Sequence, residues 1–237
     1  MKALILAAGR GTRISRYLSG MPKCMVDIGG ERLIHYTVRL LKSRGISDIG
    51  LVLGYRQEVI REELKSENVT FFYNPFFDVT NSIASAWFAR DFFAEQEDTM
   101  IMNGDVYIGG ELLDMILNEK QSPVMFADES RKETADYKFY YEDGILKKYG
   151  KDLEGSDITG EDIGIGKFDR SFVPEFAARM GEMIGRQEHS VWWENVLYSM
   201  CGSQNVYVRD VEGQFWAEVD YIEDYERILE HRGVMKV

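Results

Sequence analysis

The chain alternates between short apolar runs and segments with helical periodicity. The first run, Ala3 to Leu6, is uninterrupted, as in a strand buried on both faces of a parallel sheet. Apolar residues then recur at helical spacing over 33–44, and Gly45 is the expected C-cap. Further strands are predicted at 48–53, 70–73 and 100–102, with helices at 57–65 and 80–93. This alternation predicts a doubly wound α/β sheet.

The pattern changes beyond Pro123. Residues 137–141 and 145–149 flank Glu142-Asp143-Gly144, which is a hairpin signal. Strands are also predicted at 163–168, 206–211 and 215–219, and helices near 171–184, 190–201 and 221–229. No Pro- or Ser-rich linker separates the two parts. We therefore expect one domain over 1–237, with a Rossmann-like, mostly parallel (mixed) sheet and helices on both faces.

A loop with two glycines directly follows the first strand. Its sequence is Leu6-Ala7-Ala8-Gly9-Arg10-Gly11-Thr12-Arg13, and Pro22-Lys23 lies a short distance beyond it. Glycines let the backbone approach a ligand closely, and Arg13 and Lys23 add cationic donors. A small-residue loop at the carboxyl end of a first strand, followed by two cations, suits a nucleoside triphosphate. The spacings of a P-loop and of a dinucleotide fingerprint are both absent. The remaining alternative is a plain glycine turn with solvated cations.

These residues resemble the signature of the nucleotidyltransferases that make nucleotide-activated sugars and alcohols. The resemblance continues through Asn103-Gly104-Asp105 and Glu218-Val219-Asp220. The short chain is most similar to the bacterial cytidylyltransferases that act on phosphocholine or related small phosphorylated amines. The resemblance implies CTP and such an amine (phosphocholine, phosphoethanolamine or 2-aminoethylphosphonate) as substrates, and pyrophosphate as a product. A sugar-1-phosphate nucleotidyltransferase and a non-catalytic nucleotide-binding regulatory module stay open as alternatives.

Two aspartates are the candidate ligands of a Mg²⁺ cofactor. Asp105 follows an apolar strand, and Asp220 follows the strand-like run 215–219, so both carboxylates are expected at strand ends, where sites in open α/β sheets lie. Mg²⁺ takes one or two carboxylates, with phosphate oxygens and water completing its octahedron. A turn role for Asp105 and a helix N-cap role for Asp220 are the alternatives. The resemblance favours the metal role for both aspartates. Glu218 is expected to lie behind these two ligands and to contact them rather than the ion.

Arg13 and Lys23 are the candidate catalytic residues. An acceptor phosphate is already mostly dianionic at neutral pH, so it needs no protein base to attack the α-phosphorus of a nucleotide. It needs alignment and relief from the repulsion between anions. We assign Arg13 to the β- and γ-phosphates, and Lys23 to the α-phosphate or the incoming phosphate.

The binding candidates form two groups. The resemblance implies that the loop backbone lies against the base and that Asn81 and Ser82 read the edge of cytosine, although both could simply cap a helix. A quaternary ammonium acceptor would want an aromatic cage, whereas a primary amine would need carboxylates or carbonyls. The nucleotide group is Leu6, Ala7, Ala8, Gly9, Gly11, Thr12, Arg13, Asn81, Ser82 and Asn103. The acceptor group is Tyr107, Asp136, Tyr137, Trp192, Trp193 and Glu194. Adjacent tryptophans on a helix point in different directions, so at least one is expected to be structural.

Composition narrows the classes of function. The net charge of −12 argues against a nucleic-acid partner, and it makes the cations near the loop a local positive site for a polyanion. No apolar stretch reaches the length of a membrane span, and no secretory signal precedes the first strand. Two cysteines provide no disulfide framework. We expect a cytoplasmic enzyme without membrane insertion. The first part of the chain, about 1–122, would bind the nucleotide and the second, about 123–237, the acceptor; a homo-oligomer is compatible with the sequence.

Overall fold

The computed structural model describes residues 1–11 and 18–234. The strands are β1 (Lys2–Ala7), β2 (Asp48–Leu53), β3 (Thr70–Tyr73), β4 (Thr99–Asn103), β5 (Val106–Ile108), β6 (Val124–Asp128), β7 (Lys138–Glu142), β8 (Ile145–Gly150), β9 (Gly160–Phe168), β10 (Tyr207–Asp210) and β11 (Trp216–Glu218). The α-helices are α1 (Leu33–Ser43), α2 (Gln57–Glu63), α3 (Ser82–Phe88), α4 (Gly110–Asn118), α5 (Val173–Gly185), α6 (Asn195–Tyr198) and α7 (Ile222–His231). Short 3₁₀ turns lie at Lys23–Met25, Arg90–Phe93, Glu129–Arg131 and Gly155–Asp157.

Within the described residues, nine strands form one mixed sheet in the order β3-β2-β1-β4-β9-β6-β10-β8-β7. Neighbouring strands from β3 to β4 are parallel, and β6 is parallel to β10. β9 runs antiparallel to β4 and β6, and its first residues also pair with β7 of the predicted hairpin β7–β8. β5 and β11 pair separately as a small antiparallel sheet. The predicted α/β fold with a mixed sheet is confirmed.

The central strand β1 is buried on both faces, as its apolar run predicts. Ala3, Ile5 and Ala7 belong to a core with residues of α1 and α4, whereas Leu4 and Leu6 belong to a second core with residues of α3 and α5. Successive side chains of a strand point to opposite faces, so each face of the sheet carries its own helical layer. No helix in the described part of the chain is long and apolar enough to cross a bilayer.

The carboxyl ends of β1 and β4 meet at one edge of the sheet, and a glycine allows their loops to touch. The Gly104 backbone N–H donates to the Leu6 carbonyl at 2.9 Å. A Cβ at Gly104 would lie 2.9 Å from that carbonyl oxygen and from the Cβ of Ala7, which is closer than real side chains come. Glycine therefore lets the turn that carries Asp105 pack directly on the end of β1.

Three predicted elements differ from the structure at their ends. The helix predicted to run to about residue 93 leaves α geometry after Phe88 and continues as a 3₁₀ turn. Only Asn195–Tyr198 of the range 190–201 is α-helical. β9 begins at Gly160 rather than at residue 163, because its first residues pair with β6 and β7. Such pairing between distant segments leaves no local signal in the sequence.

Candidate active site

A cavity of about 380 Å³ opens where β1 and β4 end. This volume lies within the usual range of about 300–1,000 Å³ for small-molecule sites. One side is formed by the loop after β1 and by the segment before α3. The start of β9 and the segment that leads into α6 also line the cavity. Because β9 runs antiparallel to β4, its amino end lies beside the carboxyl end of that strand.

Three carboxylates come together at one end of this cavity. Asp105, Glu218 and Asp220 each place an oxygen within 4.8 Å of the others. The pairing of β5 with β11 sets Glu218 opposite Val106, and the Val219 N–H donates to the Asp105 carbonyl at 2.9 Å. The small sheet therefore joins two motifs that lie more than a hundred residues apart.

The ammonium of Lys23 lies among these carboxylates. Its Nζ donates to Asp105 Oδ2 at 3.0 Å and also to Asp220 Oδ1. Burial opposes the charge of Lys23, but the two aspartates outweigh that effect and raise the pKa of Lys23 above its usual value. Burial also raises the pKa of Glu218, and the charges of Asp105 and Asp220 raise it further.

The chemistry of this donor set fits a hard divalent cation. All three groups offer carboxylate oxygens, which are the ligands that Mg²⁺ prefers. Helix α7 is capped by Tyr221, whose backbone N–H donates to Asp224 Oδ2, so the capping alternative for Asp220 does not hold. Glu218 lies in the cluster itself rather than behind it.

Gly11 makes room for Lys23. Its φ is +64°, and a Cβ there would lie 2.3 Å from the Cγ of Lys23. The lysine stem therefore passes directly against the glycine loop on its way to the carboxylates. Thr12 and Arg13 lie outside the described residues, so their predicted phosphate contacts stay predictions.

The other predicted nucleotide residues line the cavity. They are Leu6, Ala7, Ala8, Gly9, Gly11, Asn81, Ser82 and Asn103. The Asn81 side chain caps α3 by accepting from the Ser82 N–H at 2.8 Å, and Ser82 Oγ accepts from the Trp193 N–H at 2.9 Å. Both side chains thus make local contacts as well as facing the cavity, and their reading of a base stays a prediction.

A buried asparagine that the sequence did not single out holds the segment before α3. Asn74 accepts from the Phe76 N–H at 2.9 Å and donates to Thr80 and Ser85, each at 3.1 Å. These bonds fix the turn that brings Phe77 and Thr80 to the cavity wall. The sequence offered no signal beyond an ordinary turn residue before a proline.

Two predicted acceptor residues do not reach the cavity. Trp193 is fully buried in the core, and its Nε1–H donates to Asn103 Oδ1 at 3.1 Å. Tyr107 is buried in the cluster beneath the small sheet, where it stacks on Tyr36 at 5.0 Å between ring centroids. The structure therefore corrects both assignments: the two rings are packing residues. Trp193 is the tryptophan of the adjacent pair that proves to be structural.

The remaining acceptor candidates line the same cavity as Lys23: Asp136, Tyr137, Trp192 and Glu194. Three residues that the sequence analysis missed also line it: Lys151, Asp162 and Tyr198. Lys151 Nζ donates to Asp136 Oδ2 at 2.8 Å. Lys151 lies in a predicted surface segment and Tyr198 in a predicted helix, and nothing in the sequence around them indicates that they line the cavity. Asp162 could have been found as a carboxylate next to a predicted strand.

Two acidic residues of the cavity act on each other: Asp162 is half-buried and Glu194 is buried. Asp162 accepts from the Gly164 N–H at 3.0 Å and from the Tyr198 hydroxyl at 3.1 Å. Glu194 Oε1 accepts from Asn103 Nδ2 at 3.3 Å. Burial raises the pKa of Asp162 to about 7 and that of Glu194 to about 8, and the charge of Asp162 adds to the shift of Glu194. Perturbed carboxyl groups in a cleft are typical of functional sites.

Comparison with known proteins agrees with this geometry. The MobA-like NTP transferase domain matches residues 3–184. The chain is 28% identical to the CTP:phosphoglutamine cytidylyltransferase of Campylobacter jejuni, over 97% of this chain and 100% of that protein. It is 26% identical to the choline-phosphate cytidylyltransferase of Streptococcus pneumoniae, over 97% of each chain. The solved structure of the CTP:phosphocholine cytidylyltransferase from Streptococcus pneumoniae superposes with a TM-score of 0.81 at 23% identity, covering 98% of each chain, which shows the shared fold. The chain belongs to the MobA-like NTP transferase family and is a nucleotidyltransferase.

Proposed function

We propose that this chain is a magnesium-dependent cytidylyltransferase that joins CMP from CTP to a small phosphorylated amine and releases pyrophosphate. One observation carries the proposal: Lys23, the three carboxylates and the acidic side chains of Asp162 and Glu194 all line one cavity. The lysine and the three carboxylates suit phosphates with a metal ion, and Asp162 and Glu194 suit a cationic group. The relatives named for phosphoglutamine and choline phosphate, and a third named for 2-aminoethylphosphonate, support such an acceptor.

The chain's own residues would then act by charge and by position. Lys23 would leave its contacts with Asp105 and Asp220 and donate to the α-phosphate or to the incoming phosphate. In the ligand-free protein these carboxylates raise the pKa of Lys23, so it carries its charge throughout the neutral range before substrates bind. The acceptor phosphate attacks the α-phosphorus in line, the bond to the bridging oxygen breaks, and the electron pair leaves with pyrophosphate. No proton has to move in this step.

Asp105, Glu218 and Asp220 would hold the Mg²⁺ ion. When bound, the ion would neutralise phosphate charge and so lower the repulsion between the two reacting anions. The backbone of the loop after β1 approaches the nucleotide closely, because Gly9 and Gly11 carry no side chain. Asn81 and Ser82 would read the edge of the base; both line the cavity, next to the turn that Asn74 holds in place.

The test is pyrophosphate release with Mg²⁺, using CTP, UTP, dTTP and ATP against phosphorylated amines, 2-aminoethylphosphonate and sugar 1-phosphates. We expect turnover with CTP and an amine. Asp105→Asn should lower kcat by roughly a hundredfold or more without unfolding the protein. Asp114→Asn is the matched control, because Asp114 lies on α4 and pairs with Arg44. Normal turnover by Asp105→Asn, or a sugar phosphate as the best acceptor, would contradict the proposal.

A further inference from the structure

One carboxylate oxygen at the acceptor end of the cavity has no hydrogen-bond partner. Glu194 is 5% exposed and lines the cavity, yet its Oε2 finds no donor among the described residues. Its Oε1 and both oxygens of the neighbouring Asp162 are bonded. A buried polar atom without a partner is costly, and a ligand that donates a hydrogen bond to it would remove that cost.

The aromatic rings around this carboxylate are already engaged with one another. Tyr198 stacks on Tyr149 at 4.2 Å and on Tyr137 at 5.8 Å, with interplanar angles of 16° and 10°. Trp192 meets Tyr137 edge-on at 5.0 Å, and the Lys151 ammonium lies 5.6 Å from the Trp192 ring centroid. A cage for a quaternary ammonium needs open ring faces. These rings form a packed wall instead.

The ligand that this wall and this carboxylate fit is a donor of hydrogen bonds. A trimethylammonium group carries positive charge but has no N–H, so it would leave Glu194 Oε2 without a partner. A protonated amine brings both the charge and the donor. We propose that the acceptor of this enzyme is a phosphorylated compound with an N–H-bearing ammonium group, which donates a hydrogen bond to Glu194 Oε2. This inference rests on the proposed function and narrows its substrate class.

A series of acceptors with increasing N-methylation separates the effect of the positive charge from the effect of the N–H donors. Phosphoethanolamine, its N-methyl and N,N-dimethyl derivatives and phosphocholine all keep one positive charge, while the number of N–H donors falls step by step to zero. We expect kcat/KM with CTP and Mg²⁺ to fall most at the last methylation, by roughly ten- to a hundredfold, as for loss of a hydrogen bond to a charged group. Phosphocholine turned over as well as the dimethyl compound would overturn the inference.

Two carboxylate variants distinguish the hydrogen bond from simple crowding by methyl groups. Glu194→Gln should raise the KM for phosphoethanolamine, leave the KM for CTP unchanged and reduce the dimethyl-to-trimethyl discrimination to roughly twofold. Asp136→Asn changes the exposed carboxylate at the cavity mouth, which is paired with Lys151, and should keep the full discrimination. Discrimination that persists in Glu194→Gln would indicate crowding, and discrimination lost in Asp136→Asn would indicate the wrong carboxylate; either result overturns the inference.

The same assay keeps the inference distinct from the proposed function. If phosphocholine is turned over with CTP as well as the dimethyl compound, the proposed function stands and the inference of an N–H donor is wrong. If a sugar 1-phosphate is turned over and no member of the amine series is, the acceptor class of the proposed function and the inference are both wrong. If no acceptor of any class releases pyrophosphate from CTP, the proposed function itself fails, and the inference fails with it. Circular dichroism of Glu194→Gln, compared with wild type, checks that the variant is folded.

Discussion

The cluster around Lys23 allows a prediction that is independent of the substrates. Lys23→Met keeps an aliphatic side chain of similar length and removes the ammonium that donates to Asp105 and Asp220. Three carboxylates whose oxygens lie within 4.8 Å of one another then lose this compensating charge. We expect the free energy of unfolding of the metal-free protein to decrease.

The magnitude follows from the partial burial of the cluster. The side chains of Lys23, Asp105 and Asp220 are 14%, 21% and 17% exposed. Breaking a fully buried ion pair costs about 3–5 kcal/mol, and an exposed pair contributes less than about 1 kcal/mol. An intermediate cost of about 2 kcal/mol is therefore expected. In a chain of this length that cost lowers the Tm by about 4–8 °C.

Thermal unfolding in EDTA, followed by titration with Mg²⁺, measures both the cost and its rescue. In the wild type, Lys23 already supplies positive charge among the carboxylates, so Mg²⁺ has less repulsion to relieve. The Mg²⁺-induced rise in Tm should therefore be larger in Lys23→Met. Lys65→Met is the control, because the Lys65 side chain is 68% exposed and pairs with the exposed Glu62 on α2. An unchanged Tm in EDTA, or equal Mg²⁺ shifts in wild type and variant, would refute the reasoning.

Two further predictions concern the acceptor end. Trp193→Ala should lower the free energy of unfolding by about 3–5 kcal/mol, because it empties a fully buried site, whereas Trp192→Ala should alter the acceptor KM with little loss of stability. Urea unfolding measures the stability of each variant, and steady-state kinetics measure the acceptor KM. A stable Trp193→Ala variant with a raised acceptor KM would contradict this prediction. Burial raises the pKa of Glu194 to about 8, so between about pH 4.5 and 8 the folded protein keeps a proton that the unfolded chain has lost. The ligand-free protein should therefore lose stability as the pH rises through this window, and Glu194→Gln should lose less, as measured by Tm at each pH. The exposed Glu230→Gln should match wild type, and a pH dependence unchanged in Glu194→Gln would argue against the burial of an ionisable group there.

The parts of the site that could be predicted are those whose residues lie next to one another in the sequence or directly after a predicted strand. The loop after β1 can be recognised from the sequence, because an apolar strand, two glycines and two cations follow one another. Asp105 and Asp220 could be predicted because each follows its own strand. Asp162 is a carboxylate next to a predicted strand, but its place in the cavity depends on the antiparallel insertion of β9 between β4 and β6, which the sequence does not indicate.

The two misplaced aromatic residues show a different limit. Tyr107 directly opposes Ala217 in the small sheet, and that pairing with a distant strand turns its ring towards α1 and α7 rather than towards the cavity. Trp193 follows Trp192 in the chain, but the hydrogen bonds of its backbone N–H to Ser82 and of its ring to Asn103 point it into the core. Which of two neighbouring rings faces a ligand is decided by partners far away in sequence.

The two acidic clusters of the cavity act on each other, although different ligands are proposed for them. After burial, the main cause of the raised pKa of Glu218 is the charge of its neighbours Asp105 and Asp220, and Glu194 adds to it. The pKa of Glu194 is in turn raised by burial, by Asp162 and by Asp105. A cation that neutralises one cluster therefore makes the carboxylates of the other easier to ionise. The proposed phosphorylated amine would lie with its phosphate towards Lys23 and its ammonium towards Glu194. In a protein with a net charge of −12, such matching would let an acidic cavity accept two phosphorylated substrates.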